Sequence, residues 1–349
     1  GASNPLGWIC NPASVARPQF SDMRKKSTQP HLFDSPYAER GWISFLNETL
    51  QLPQERPYLA LDLFAGCGGL SLGFECAGVK TIGYEMKPEC CETYRANLHS
   101  ECRNEMLTEE TEYPQTDIVL GGPPCQPFSR RGKRKGKDDA RDGFPAYIAA
   151  IRKVQPKIWV CENVKGLPEL EENYFKSLLD RFKSLGYEVE YKVIRMSNYD
   201  VPQKRERVFF IAHRKDLDYA KLVMDFRSEP IPFADVREPY GKPVSEDNIS
   251  GRLMKYRIST DRSVSDINAR VRKKTSGYTS PINHDDEPVQ TITAGGYCFR
   301  MCDGLLMTDR DIISCQTFPQ DYDFMDQNVQ YICGMSVPPV MMAKISEQV

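Results

Sequence analysis

The sequence lacks any apolar run of about 18 residues, the length that crosses a bilayer, and it shows no signal peptide. These absences argue against a membrane or secreted protein. They predict an intracellular one, in the cytoplasm or nucleoid of a prokaryote or the nucleus of a eukaryote. The 12 cysteines include no Cys-x-x-Cys pair, and only 4 histidines accompany them. The scattered cysteines predict reduced thiols, and the lack of paired cysteines and the few histidines predict no metal site.

Net charge is also scarce, at -2 for 349 residues, so an anionic partner such as nucleic acid must be bound by local patches. Two cationic segments stand out. Residues 130–137 carry six Lys or Arg in eight positions between glycines, which predicts a mobile loop that closes over phosphates. Residues 251–274 carry eight more. The chain is long enough for one α/β core and a small second domain, and its apolar content of 40% is sufficient to fill them.

One cysteine stands on a stiff turn. Residues 117–120, Asp-Ile-Val-Leu, predict a short buried strand, and residues 121–129 read Gly-Gly-Pro-Pro-Cys-Gln-Pro-Phe-Ser. Glycine lets the backbone turn and proline fixes φ, so Cys125 should project from the carboxyl edge of the strand. A free cysteine is most often a small buried hydrophobe, but such a loop is a poor core element. The sequence therefore predicts that Cys125 is a nucleophile.

Two further segments bring polar groups to the same edge. Residues 157–161 predict a strand that delivers Glu162 at its end. Gln203, Arg205 and Arg207 alternate just before the apolar run 208–212, which predicts that they share one face at the entrance of a strand. Each signal alone is typical of a solvated strand end. Together with Cys125 they place a thiol, a carboxyl and a guanidinium near one another.

With these motifs in this order, the chain resembles the carbon-5 cytosine methyltransferases over roughly residues 58–349. The matching segments are Asp-Leu-Phe-Ala-Gly-Cys-Gly-Gly at 62–69, Pro-Cys-Gln at 124–126, Glu-Asn-Val at 162–164, Gln-x-Arg-x-Arg at 203–207, Thr-Phe-Pro at 317–319 and Gly-Met-Ser-Val-Pro-Pro at 334–339. The first fifty or so residues lie outside the resemblance.

The resemblance implies transfer of a methyl group from S-adenosylmethionine to carbon 5 of a cytosine flipped out of duplex DNA. Cys125 would add to carbon 6, Glu162 would supply a proton and recognise the base edge, and Arg207 would hold the ring's O2. Arg205 and Ser129 would clamp phosphates. Gln203 completes the expected catalytic set, and the expected nucleic-acid contacts are Gln126, Ser129, Arg130, Arg131, Arg272, Thr293, Gly295 and Gly296.

The cofactor site is expected at a strand, turn and helix over residues 59–76. Ser71 stands where a dinucleotide-binding fingerprint needs glycine, so S-adenosylmethionine fits this turn better. Glu85 ends the next strand and would hold ribose hydroxyls, and Met86 would lie against the adenine. The full expected set is Asp62, Phe64, Ala65, Gly66, Cys67, Gly68, Gly69, Leu70, Glu85, Met86, Asn104, Pro124, Ser336 and Val337.

Two positions depart from the family pattern. Asn104 stands where relatives commonly have an aspartate near the adenine amine, and its carbonyl can still accept a hydrogen bond without charge assistance. Met335 replaces the usual asparagine of the last motif, which puts one polar cofactor contact in question.

The predicted fold class is α/β, a doubly wound, mixed and mostly parallel Rossmann-like sheet with a small irregular target-recognition domain. Residues 1–57 would be an extension with one short helix at 42–50 that packs on the core. Residues 58–213 would form the catalytic domain, 214–303 the recognition domain with one strand and turn at 291–296, and 304–349 the return to the catalytic domain. Helices are predicted over 174–185 and 336–345.

Two alternatives remain open from sequence. The tRNA-methylating branch of the family shares the catalytic motifs, but its Cys-Phe-Thr tripeptide reads Cys-Phe-Arg at 298–300 here. A catalytically silent regulator that binds nucleic acid would have lost the nucleophile or the cofactor glycines, and both are present. The sequence identifies no protein partner.

Overall fold

A computed structural model describes residues 41–53, 57–124, 142–170, 172–218, 228–245, 247–274 and 280–349. The predictions for Cys125, Gln126, Ser129, Arg130 and Arg131, and for the cationic residues 130–137, lie outside these residues. So does most of the predicted N-terminal extension.

One sheet organises the described chain. Its strands are β1 (Tyr58–Leu63), β2 (Val79–Glu85), β3 (Glu101–Asn104), β4 (Ile118–Gly121), β5 (Ile158–Val164), β6 (Tyr187–Arg195) and β7 (Glu206–Arg214). Their order is β3-β2-β1-β4-β5-β7-β6. β7 is antiparallel to both of its neighbours, and the remaining pairs are parallel. The predicted mixed, mostly parallel sheet is confirmed.

Helices connect and cover these strands. They are α1 (Trp42–Thr49), α2 (Gly69–Cys76), α3 (Pro88–Asn97), α4 (Phe144–Val154), α5 (Leu167–Leu170), α6 (Glu172–Ser184), α7 (Ile249–Leu253), α8 (Val264–Arg272), α9 (Asp309–Cys315), α10 (Val329–Met335) and α11 (Pro339–Ser346). Among the described residues, no helix combines the length and apolarity needed to cross a membrane.

Both faces of the sheet are buried, as a doubly wound fold requires. On one face Phe144, Tyr147 and Phe182 of α4 and α6 pack with Trp159 and Phe210 of the strands. On the other, the α2 and α11 side chains Leu70, Phe74, Met341 and Met342 pack on Ala60, Leu120 and Val160. Strand side chains alternate between the faces, so one apolar run supplies both cores.

The terminal helices follow the prediction closely. Trp42, Leu46 and Leu50 are buried in the core, so α1 packs on the body of the protein as expected. α11 begins at Pro339 rather than Ser336, because the residue before a proline is disfavoured in helical conformation, so Pro338 stays extended and Pro339 takes the first helical position. α11 packs against α2, close to the glycine-rich turn. The domain boundaries stay a prediction.

The recognition region differs from the prediction. Residues 291–293 form no strand, and the described strands there are β8 (Ile282–Asn283) and β9 (Phe299–Arg300). The reason is that side chains satisfy the segment's backbone: Ile292 N donates to Gln203 Oε1, and Arg205 Nη1 donates to Ile292 O. A small apolar cluster supports the region, made of Leu253, Met254, Val264, Ile267, Ile282 and Phe299.

Candidate active site

A carboxylate and a guanidinium face each other where β5 and β7 pair. Arg207 lies opposite Val164 in the ladder, and its Nε is 2.9 Å from Glu162 Oε1. The side chains are 18% and 13% exposed, so the pair is mostly removed from water. The N–H of Arg207 is not aligned on Oε1, which is buried without a hydrogen bond. The oxygen that remains for a ligand is therefore Oε2, to which no other described residue donates a hydrogen bond.

β5 is longer than predicted. Its pairing with β7 continues through Val164, so Glu162 lies within the strand instead of following it. The antiparallel partner prolongs the strand beyond the point where the parallel neighbour β4 ends. The carboxylate is thus fixed by a sheet ladder, which orients it more firmly than a loop would.

The segment that leads to Cys125 lies beside this carboxylate. Asn163 is buried, and its Nδ2 donates to Pro123 O at 3.0 Å. A Cβ at Gly122 would lie 3.4 Å from Glu162 Oε2. Gly143 N donates to Pro124 O at 2.9 Å, which ties Pro124 to the start of α4. Asn163 is a positioning residue that the sequence analysis did not single out, although its place after Glu162 was a usable signal.

Gln203 and Arg205 have structural roles in this fold. β7 starts at Glu206, so Gln203 and Arg205 precede the strand and do not share a strand face with Arg207. Arg205 is 3% exposed, and its Nη1 and Nη2 donate to the carbonyls of Ile292 and Gly334. Both terminal nitrogens are thus engaged by the fold, and the expected phosphate contact of Arg205 stays a prediction. Burial lowers the pKa of Arg205 to about 9, which leaves it charged at neutral pH.

Gln203 is fully buried and joins three segments. Its Nε2 donates to Cys315 O and to Gln316 Oε1, and its Oε1 accepts from Ile292 N. Gln316 in turn donates to Ser336 O. The amide therefore connects the recognition segment to the C-terminal motif instead of facing a substrate.

The glycine-rich turn is held open above β1. Gly66 N donates to Glu85 Oε2 at 2.9 Å, and Lys87 N donates to Oε1 of the same carboxylate at 2.9 Å. Gly66 has a φ of +54°, and a Cβ there would meet no atom within 4 Å. This backbone conformation favours glycine, and the space above it is open. Glu85 is thus oriented toward the turn with acceptor capacity remaining.

Asn104 and Met86 lie beside Glu85 on the neighbouring strand end. Asn104 Nδ2 donates to the carbonyls of Glu85 and Met86, each at 3.0 Å. Its Oδ1 accepts no hydrogen bond from another described residue and so presents an acceptor. The Met86 side chain is 60% exposed. Both arrangements agree with contacts to a purine ring.

Several expected cofactor residues are buried beneath the turn. Asp62 is fully buried and accepts a hydrogen bond from Ser71 Oγ, so its side chain cannot reach a ligand above Gly66. Cys67 and Leu70 are also buried. Burial raises the pKa of the Cys67 thiol to about 12. For these three positions the predicted contact is restricted to the backbone or to an indirect role.

Phe64, Pro124 and the C-terminal motif close the site. Phe64 adopts a φ of 61°, and a Cβ at Gly143 would lie 3.0 Å from its Cζ and 2.5 Å from Pro124 Cδ. Ser336 Oγ lies 3.1 Å from Cys67 Sγ. Gly69 approaches Val337 so closely that a Cβ would be 2.5 Å from Val337 O. The turn around Ala65 and Gly68 thus adjoins both the Pro-Pro segment and the C-terminal motif.

The expected nucleic-acid contacts that the structure describes are exposed or partly exposed. Arg272 is exposed in the last turn of α8, and Gly295 and Gly296 are exposed with open space around them. Thr293 Oγ1 donates to Gly295 O at 2.8 Å. Within the described chain, no cluster of three His, Cys, Asp or Glu side chains is arranged for a metal ion.

Comparison with known proteins agrees with this geometry. Residues 58–349 match the family model described as C-5 cytosine-specific DNA methylase. The chain belongs to this family. It is 43% identical over 330 residues to the Type II methyltransferase M.AplI of Arthrospira platensis, covering 88% of this chain and 91% of that protein. It is 30% identical to M1.HphI of Haemophilus parahaemolyticus, covering 83% and 86%.

Solved structures share the fold at lower identity. A DNA modification methyltransferase encoded within an E. coli prophage superposes with a TM-score of 0.61 at 20% identity, covering 83% of this chain and 98% of that one. DNMT2 of Spodoptera frugiperda gives 0.59 at 18% identity, covering 83% and 99%. The protein is thus a methyltransferase of the cytosine-5 class with a Rossmann-like sheet.

Proposed function

We propose that this protein transfers a methyl group from S-adenosylmethionine to carbon 5 of a flipped-out cytosine in duplex DNA, through a covalent adduct between Cys125 and carbon 6. The observation that carries the proposal is the Glu162–Arg207 pair. It lies beside the Gly-Pro-Pro segment that immediately precedes Cys125. A carboxyl and a guanidinium next to a cysteine are the groups that nucleophilic addition to a pyrimidine needs.

The residues around Gly66 fit S-adenosylmethionine. Glu85 would accept from the ribose hydroxyls, Asn104 Oδ1 from the adenine amine, and Met86 would pack on the ring, while the Gly66 backbone leaves room for the ligand. These three side chains are neutral or anionic, which suits a ligand that carries the positive charge of a sulfonium. When bound, the cofactor supplies an electrophilic methyl group.

The chain's own groups account for the remaining chemistry. The Cys125 thiolate forms the bond to carbon 6, and the electron pair displaced from the ring makes carbon 5 nucleophilic. Glu162 donates a proton toward N3, and Arg207 holds O2, so charge on the ring is neutralised as it develops. After methylation a water removes the carbon-5 proton. The electron pair of that C–H bond then expels the thiolate, and N3 returns its proton to Glu162, which restores the enzyme.

Duplex DNA is favoured over tRNA as the substrate. The family model is named for DNA, and the relatives described above are named Type II methyltransferases. Arg300, the residue that replaces threonine in the tRNA-branch tripeptide, is fully buried and pairs with Asp303 and Asp311. A side chain that is buried and paired in this way is not available to take the place of that threonine.

The proposal is tested by offering mixed-sequence duplex DNA and bulk tRNA in parallel, with tritiated S-adenosylmethionine and bisulfite sequencing of both. We expect label in DNA, at cytosines within a short defined sequence. Label confined to tRNA would overturn the DNA assignment, and label in neither would favour a silent regulator.

The covalent step has its own test. Wild type with cofactor and DNA containing 5-fluorocytosine should give a complex that survives denaturing electrophoresis, because fluorine at carbon 5 cannot leave as a proton does. Cys125→Ala should form no such complex and transfer no methyl groups while still binding DNA. Residual turnover in this variant would remove Cys125 from the mechanism.

A further inference from the structure

Five polar side chains form an unbroken line beneath the glycine-rich turn. Asp62 lies near the end of β1, Ser71 and Glu75 on α2, Thr81 on β2 and Tyr94 on α3. All five are fully buried. The line therefore ties together the four elements that support the turn, and none of its members can reach a ligand.

Four short contacts connect the five groups. Ser71 Oγ lies 2.7 Å from Asp62 Oδ2, and Tyr94 Oη lies 2.8 Å from Ser71 Oγ. Thr81 Oγ1 lies 2.6 Å from both Tyr94 Oη and Glu75 Oε1. Each of these oxygen pairs is at hydrogen-bond distance, so each needs one proton between its atoms.

The hydroxyl groups supply too few protons. Ser71, Tyr94 and Thr81 carry one proton each, and an ionised carboxylate carries none. If Ser71 donates to Asp62, Tyr94 to Ser71 and Thr81 to Glu75, no proton is left for the contact of Tyr94 with Thr81. Two oxygen lone pairs would then face each other at 2.6 Å. A fourth proton must come from one of the two carboxyl groups.

We propose that Asp62 and Glu75 share one proton through Ser71, Tyr94 and Thr81, and that this proton stabilises the four elements beneath the glycine-rich turn. With the proton on Asp62, every hydroxyl donates toward Glu75; with it on Glu75, every hydroxyl donates toward Asp62. A concerted rotation of the three hydroxyls exchanges the two states. One carboxyl loses the proton that the other gains, so atoms and charge balance.

The surroundings favour Asp62 as the main carrier. Its Oδ1 is buried without a hydrogen bond, an arrangement that is costly for an ionised carboxylate. Burial raises the pKa of Asp62 to about 7, with Glu85 and Glu75 adding to the rise. The other titratable groups facing it are Tyr94, Tyr147 and Cys102, and burial raises the pKa of each, which keeps them neutral.

The shared proton makes stability depend on pH in a defined direction. The folded protein holds the proton up to about pH 7, whereas Asp62 in the unfolded chain releases it near its ordinary value of 3.8. Because the native state then binds more protons than the unfolded state, this contribution is complete below 3.8 and is lost as the pH rises to about 7.

The test compares wild type with Asp62→Asn and Asp62→Leu in the protein without ligand. An asparagine amide donates the fourth proton at every pH, so the denaturation midpoint of wild type should fall relative to Asp62→Asn as the pH rises toward 7. Leucine has a similar volume but no donor, and we expect it to lower the midpoint throughout. Parallel curves for wild type and Asp62→Asn would overturn the proposal.

Infrared difference spectra give a readout that a purely structural role would not change, and wild type alone suffices for it. We expect the band of a protonated carboxyl at neutral pH, lost as the pH rises further. Either Asp62→Asn or Glu75→Gln should remove the band, because each leaves the other group ionised. Its absence from wild type, or its persistence in both variants, would contradict a shared proton. Neither outcome affects the assignment of Cys125 as the nucleophile, so this test is independent of the proposed function.

Discussion

Arg205 and Arg207 are two residues apart and have different partners. Arg207 Nε faces the carboxylate of Glu162, whereas Arg205 donates to the carbonyls of Ile292 and Gly334. A guanidinium beside a carboxylate can serve a ligand, whereas a buried one that donates from both terminal nitrogens to backbone carbonyls holds the fold together. At the scale of single residues, then, the hydrogen-bond partners separate the candidate catalytic side chains from those that hold the recognition segment.

Glu162→Gln should reduce kcat by about 10²- to 10⁴-fold, because an amide cannot supply the proton to the base. Binding of DNA and of the cofactor product should change little. Glu188→Gln on the exposed edge strand β6 is the matched control and should retain full activity. Single-turnover methyl transfer separates the chemical step from binding, and equal rates for both variants would exclude Glu162 as the acid.

Asn104→Ala should weaken binding of S-adenosylhomocysteine roughly tenfold, about 1.4 kcal/mol for one missing hydrogen bond and a less ordered Glu85. Asn97→Ala is the control, because Asn97 Nδ2 also donates to two carbonyls, those of Thr93 and Asp323. Calorimetry measures both affinities. A reduction of equal size in the two variants would mean that Asn104 acts only through stability.

At the scale of elements, the cofactor turn depends on how closely α2 and the C-terminal segment approach. Gly69 faces Val337 O, and Gly73 faces Met342 at distances that leave no room for a side chain. These contacts join α2 to the segment just before α11 and to α11 itself. The C-terminal motif at 334–339 is far from the glycine-rich turn in sequence but packs directly against it.

Gly69→Ala should lower the free energy of unfolding by about 1–3 kcal/mol, because its Cβ would lie 2.5 Å from a backbone carbonyl that cannot move alone. Gly295→Ala is the control, since a Cβ there meets no atom within 4 Å. Urea denaturation of both variants measures the difference. Similar midpoints would show that the contact relaxes without cost.

The sequence predicted the elements whose signal is local. The strands at 59–64 and 117–120 and the helix at 174–185 follow from apolar runs and periodicity, and the structure has them within a few residues. In the predicted strand and turn at 291–296 the strand was wrong, because Gln203 and Arg205, almost ninety positions away, satisfy the backbone of Ile292. The line of buried polar groups from Asp62 to Glu75 could not be predicted from sequence either, because it forms only where β1, α2, β2 and α3 meet.

At the scale of the whole molecule, the structure divides the cations of residues 251–274 into two groups. Arg257 donates to the carbonyls of Met301, Met254 and Cys302, and Arg262 and Arg270 pair with Glu287 and Asp261. No ion pair joins the remaining five to another described residue; they are Arg252, Lys255, Arg272, Lys273 and Lys274. If the protein acts on DNA as proposed, its net charge of -2 means that local cations of this kind would have to contact the phosphates.

Replacing Arg272, Lys273 and Lys274 together by glutamine should therefore weaken binding to all duplex sequences alike. The slope of log K against log salt should fall by about 0.9 for each phosphate that the variant no longer neutralises, because fewer counterions are released. The control replaces Lys176, Arg181 and Lys183 by glutamine, which removes the same charge from the exposed face of α6, a helix that packs on the edge strand β6. Fluorescence anisotropy at several salt concentrations measures both slopes. If the two triple variants behave alike, the effect is one of net charge, and the end of α8 does not contact DNA.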